Sequence, residues 1–123
     1  VGTVAMHDVT EGGILGAIWE LCEIAGVGAE IEYEKIPVSP VTIKICEQCG
    51  INWLRLISSG CMMIVAHPEQ KEAIIEAVSA QKVPVACIGR ITDPGQGRVL
   101  LRNGKRQTID PPDSDELYRV VFA

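Results

Sequence analysis

The chain has 123 residues, 47% of them hydrophobic, and a formal charge of −5 with an isoelectric point near 5.0. That length fits one domain with a hydrophobic core, and the acidic balance argues against nucleic acid, whose phosphates need a basic face. No run of about 18 apolar residues occurs, so no membrane-spanning helix is expected, and no signal-peptide pattern opens the chain. The five cysteines are an odd count. Cys22, Cys61 and Cys87 stand in apolar runs, which reads as buried free thiols in a reducing, cytoplasmic compartment.

Taken in order, residues 3–7 read as a strand. Thr10 is the expected N-cap of a helix over 11–25, whose apolar face is Ile14, Leu15, Ile18, Leu21, Cys22 and Ala25. Trp19 and Ile24 widen that face, and Gly26 and Gly28 stop the helix. Residues 29–34 alternate Ala-Glu-Ile-Glu-Tyr-Glu and predict a half-exposed strand. Ser39-Pro40 opens a second helix that ends at Gly50 and carries Val41, Ile45 and Cys49 along one side. A connector over 51–57 holds Trp53, Leu54 and Leu56. The apolar run 61–66 is the candidate central strand. Pro68 opens an amphipathic helix to about Gln81, with Ile74, Ile75 and Val78 inward. A strand over 85–91 follows, then a hairpin over 97–109 turning at Asn103-Gly104. Asp113 caps a short last helix with Leu117, Val120 and Val121. The order β-α-β-α-β-α-β-β-β-α implies helices packed on a mixed sheet, an α/β domain.

Three segments could carry chemistry. His7-Asp8 followed by Thr10 and Gly12-Gly13 joins a strand to a helix start, where unpaired amides and the helix dipole attract anions. It reads either as a phosphate cradle, with Asp8 a metal or substrate contact and His7 a donor, or as a tight turn whose glycines are steric. Ser58-Ser59-Gly60 before the apolar run could line a polar cleft or simply form a turn. Cys46 and Cys49 have CxxC spacing. A structural zinc site needs a second pair, and a redox pair belongs at a helix N-terminus, so they read as helix positions. His67 before Pro68 reads as a helix-entry residue. These features alone do not specify a reaction.

The stretch Met6-His-Asp-Val-Thr-Glu-Gly-Gly-Ile-Leu-Gly-Ala-Ile-Trp-Glu20 resembles the C-terminal domain of the AIR synthase-related superfamily. That group includes formylglycinamidine synthetase, selenide water dikinase, thiamine-monophosphate kinase and the hydrogenase maturation protein HypE. Ile45-Cys-Glu-Gln-Cys-Gly-Ile-Asn-Trp-Leu-Arg-Leu-Ile-Ser-Ser-Gly60 is similar to the HypE branch in particular. Ile88-Gly89-Arg90-Ile91 and Pro111-Pro-Asp-Ser-Asp-Glu-Leu117 match in order as well, so the resemblance spans nearly the whole chain. It implies a three-layer, partly ferredoxin-like fold in which helices flank a mixed sheet.

The resemblance also implies a homodimeric enzyme that uses ATP and Mg2+, with an N-terminal domain supplying most nucleotide and metal contacts. The domain read here would close the cleft. Its phosphate- or substrate-binding residues would be His7, Asp8, Thr10, Gly12 and Gly13, with Ser58, Ser59 and Gly60 as a second edge. The ATP-binding half is absent from these 123 residues, so the chain is expected to be an N-terminally truncated domain, inactive alone and completed by its own N-terminal domain. HypE proteins end in a cysteine that carries the carbamoyl group, whereas this chain ends Val121-Phe122-Ala123; they also commonly place an acidic residue where Ser59 stands. The expected function is the cleft-closing part of an enzyme that phosphorylates a carbonyl or carboxamide oxygen. The rival is a non-catalytic anion-binding or dimerisation module. No nucleic acid and no membrane are expected as partners.

Overall fold

A computed structural model describes residues 5–58, 60–113 and 115–117. It has the expected succession of elements through the hairpin: β1 (Ala5–Asp8), α1 (Gly13–Ala25), β2 (Gly28–Glu32), α2 (Pro40–Cys49), β3 (Met62–Val65), α3 (Lys71–Ser79), β4 (Gly89–Thr92), β5 (Arg98–Arg102) and β6 (Lys105–Thr108). The predicted last helix falls mostly outside the described residues.

The strands form two sheets. β1 and β3 pair antiparallel, from Ala5 opposite Val65 to Asp8 opposite Met62. The second sheet has the order β4-β2-β5-β6, with β2 and β5 parallel and the other neighbours antiparallel. The mixed sheet follows from the sequence pattern. In β2, Ala29 and Ile31 point to the core, while Glu30 points outward and meets Arg90 at 3.7 Å and Arg106 at 3.4 Å. β5 and β6 close through Asn103 and Gly104, both with positive φ (51° and 75°), the turn that suits the twist of a two-residue hairpin.

The core lies between α1 and the four-stranded sheet. Leu15, Ile18 and Cys22, spaced one helical turn apart, meet Ala29, Ile31 and Leu100, with Ile36, Leu54 and Ile109 closing the sides. Trp19 packs on this cluster, but Ile24 is 84% exposed, so α1 is covered on a narrower face than its composition suggests. Ser39 caps α2 by accepting a hydrogen bond from the Val41 amide, and Gly50 ends it in the left-handed conformation. The stripe Val41, Ile45 and Cys49 faces outward; Cys46 is the buried residue of that helix.

Several expectations need correction. The run 61–66 is not a central strand: β3 has one neighbour among the described residues and no buried residue. An apolar run alone does not distinguish a strand covered on both faces from one that is half-covered. Cys61 and Cys87 are exposed rather than buried for the same reason. The predicted strand 85–91 starts only at Gly89; just before it, the Ile88 carbonyl accepts the Glu32 amide at 2.7 Å. The strand over 29–34 gives way to a 3-10 turn at Tyr33–Lys35. There the Glu34 carboxylate accepts the Asn103 amide at 2.7 Å, a bond that holds its pKa below the ordinary carboxylate value.

Candidate functional site

β1 runs into a loop, Val9–Gly12, whose two sides differ. Val9, Gly12 and Gly13 are buried, whereas Asp8, Thr10 and Glu11 are exposed. Thr10 does not cap α1. The cap position belongs to Gly12, which adopts φ 91° and offers no side chain; the Thr10 carbonyl accepts the Gly13 amide at 3.1 Å instead.

Gly12 is favoured by its positive φ, and Gly13 by lack of space as well. A Cβ on Gly13, whose φ is 69°, would lie 2.5 Å from the Leu54 carbonyl oxygen and 2.8 Å from the Leu56 nitrogen, both backbone atoms. The first turn of α1 thus abuts the backbone of a 3-10 turn at Trp53–Arg55. At this pair the steric reading of the glycines describes the local geometry.

An acceptor for the helix start comes from far along the chain. The Asp115 carboxylate, 1% exposed, accepts the Gly12 amide on Oδ2 at 2.6 Å. Its Oδ1 accepts the Ile57 amide at 3.2 Å and the Leu117 amide at 2.8 Å. Such charge-assisted bonds at a helix N-terminus satisfy amides that would otherwise be orphaned. Glu116 adds a second tie, accepting the Asn52 amide at 2.7 Å. The expectation of unpaired amides at Gly12 and Gly13 is therefore corrected, because both are bonded within the chain. Sequence reading missed Asp115. The available signal was a helix beginning Gly-Gly with no polar cap, which requires an acceptor from elsewhere.

The outer side of the loop remains open. Met6, His7, Asp8, Thr10 and Met62 line a shallow groove. His7 Nδ1 lies 2.6 Å from the Asp8 carbonyl and Nε2 lies 3.1 Å from Glu20 Oε2. The contact with Glu20 tethers the strand end to α1. The second candidate edge adjoins the first. The Val9 amide donates to the Cys61 carbonyl at 3.2 Å, the Cys61 amide donates to the Ser58 carbonyl at 3.1 Å, and Ser58 Oγ meets Cys61 Sγ at 3.0 Å. Gly60 is exposed with φ 93°. Ser59 lies outside the described residues. The fold thus brings His7, Asp8, Thr10, Ser58 and Gly60 to one end of the β1–β3 ribbon.

Among the described residues no three His, Cys, Asp or Glu side chains cluster as metal ligands. Cys46 and Cys49 sit near the end of α2; burial, then the nearby Cys49 and Glu116, push the Cys46 thiol pKa up. None of the helices described is long and apolar enough to cross a membrane.

The architecture is that of a mixed α/β domain whose glycine-started helix follows an exposed polar loop. The chain belongs to the family described as AIR synthase related protein, C-terminal domain, which matches residues 1–102. It is similar to carbamoyl dehydratase HypE of Escherichia coli strain K12, at 26% identity over 97% of this chain and 36% of the relative. The same enzyme of Rhodobacter capsulatus is 28% identical over equal shares. The crystal structure of E. coli HypE superposes with a TM-score of 0.82 at 27% identity, over 98% of this chain and 38% of that one. A HypE structure in complex with ATP has the same fold, with a TM-score of 0.81 at 18% identity over 90% of this chain and 36% of that one. The chain spans just over a third of the length of these relatives.

Proposed function

We propose that this domain is the cleft-closing part of an ATP-dependent enzyme of the HypE type, which phosphorylates a carboxamide or carbonyl oxygen. The observation that carries the reading is the match of the whole fold to HypE, together with the polar end of β1 and β3, where Asp8 pairs with Met62 and Val9 bonds the Cys61 carbonyl next to the Ser58 turn. Phosphorylation turns a carboxamide oxygen into a leaving group, which is what a dehydration requires. Catalysis of phosphoryl transfer is chiefly positioning and charge stabilisation, so a domain that contributes an edge rather than a nucleophile fits the task.

The residues present fit ATP and Mg2+ in part. The Thr10 and Ser58 hydroxyls can donate to phosphate oxygens, and His7 lines the same groove. Asp8 supplies one exposed carboxylate. A magnesium ion would need further ligands from outside this chain, and no step is assigned to it. Exposed Met6 and Met62 in the groove suit coverage by the protein's own N-terminal domain, and homodimerisation would follow the family pattern. Free thiols and ATP use point to the cytoplasm.

Calorimetric titration of the protein that carries this chain tests the reading. Magnesium-dependent ATP binding is expected. Binding of a small anion without ATP would overturn it in favour of a sensor module.

A further inference from the structure

We propose that Asp115 is a positioning residue that clamps both walls of the candidate phosphate edge, making residues 110–113 and 115–117 a structural part of the site. The inference rests on the phosphate-edge reading above but adds a segment to it. Its source is a buried carboxylate bonded to the backbone of two loops at once. Oδ2 holds the Gly12 amide, on the loop that carries Asp8 and Thr10; Oδ1 holds the Ile57 amide, one residue before Ser58. The two oxygens of one side chain thereby fix the spacing of the two walls.

The rest of the segment supports the same contact. Pro112 lies over the first turn of α1, where a Cβ added at Gly12 or Gly16 would meet Pro112 Cβ at 3.4 or 3.5 Å. The Arg55 guanidinium donates to the Asp110 carbonyl at 2.9 Å, and the Glu116 amide donates to the Arg55 carbonyl at 3.4 Å. Four residues of the segment thus touch either the glycine loop or the 3-10 turn beneath it. The family match ends at residue 102, so the clamp comes from beyond it.

Geometry singles out Asp115→Asn as the informative change. An amide has one oxygen. Keeping it on the Ile57 and Leu117 amides retains two bonds and turns the NH2 toward the Gly12 N–H, so the hydrogen bond that breaks is the one from Gly12. The protein that carries this chain is the sample, read by residue-resolved hydrogen exchange and by ATP kinetics. Slow exchange of the Gly12 and Ile57 amides is expected in the unmodified protein, and this reading stands even if the variant does not fold. In Asp115→Asn, Gly12 exchange is expected to rise at least about tenfold and more than Ile57, and KM for ATP to rise about tenfold with kcat within twofold. Exposed Glu76→Gln on α3 is the control and leaves all of these unchanged.

Fast exchange at Gly12 in the unmodified protein, or unchanged exchange in Asp115→Asn, would overturn the clamp. Faster exchange with unchanged KM would overturn its role at the site and leave a merely structural bond. If the unmodified protein neither binds nor turns over ATP, the phosphate-edge reading fails and takes the ligand half of this proposal with it. The exchange data still decide whether Asp115 holds the two walls.

Discussion

Helix α1 and strands β2 and β5 bury most of their apolar side chains against one another, whereas β1, β3 and α3 contain no buried residue. Both regions are similarly rich in aliphatic residues, so composition does not explain the contrast. What differs is the number of covered faces. The first region has a sheet on one side and the 3-10 turn at Trp53–Arg55 on another; the second has a two-stranded ribbon with one face open. The candidate site lies on the border. Its glycines face the packed region, and its Asp8 and Thr10 side chains face the open one. A rigid support beneath a loop with an open outer side is what a ligand edge needs, because a preorganised backbone costs little to order on binding.

The contrast can be broken by cavity substitutions. Ile18→Ala, at a position 2% exposed in the core, is expected to cost about 2–5 kcal/mol of unfolding free energy. Ile75→Ala on α3, half-buried, is expected to stay within about 1 kcal/mol. Chemical denaturation of both variants checks the difference; equal losses would mean that the two regions are packed alike.

The border is sharpened by two glycines on α1. Gly13→Ala places a methyl against the Leu54–Leu56 backbone at positive φ and is expected to destabilise by about 2–4 kcal/mol. Gly16→Ala meets only ordinary contacts and removes a helix-interior glycine, so a gain of up to about 1 kcal/mol is expected. Melting temperatures that move in the same direction would contradict the distinction.

The smallest effect concerns thiols. Cys49, Cys61 and Cys87 are exposed and are expected to react with a maleimide in the native 123-residue chain, while Cys22 and Cys46 stay protected until unfolding. Burial raises the pKa of both protected thiols above the ordinary 9.0. The unfolded thiols therefore ionise first, and stability is expected to fall as the pH climbs past that value. Mass spectrometry of the labelled chain reads the count directly.

Local signals were legible in the sequence where the physics is local. Ser39-Pro40 and Gly50 bound α2 as expected, Gly26 ends α1, and Asn103-Gly104 makes the hairpin turn. The failures involve distant partners. Thr10 is a good cap by type, yet the acceptor at the helix start is Asp115, more than a hundred residues away in sequence. β3 reads as central because its residues are apolar, and nothing in those four residues records that among the described residues it pairs with β1 alone. The site followed the same division: the chain order placed His7, Asp8 and Thr10 on one loop, but only the β1–β3 pairing brings Ser58 beside them.

The most direct test of the central claim is ATP turnover by the protein that carries this chain, compared with its Asp8→Ala variant at matched melting temperature. If the β1 loop is a wall of an ATP-dependent site, turnover is expected to fall by at least about tenfold while stability is unchanged. Unchanged turnover at unchanged stability would remove Asp8 from the site and contradict the account.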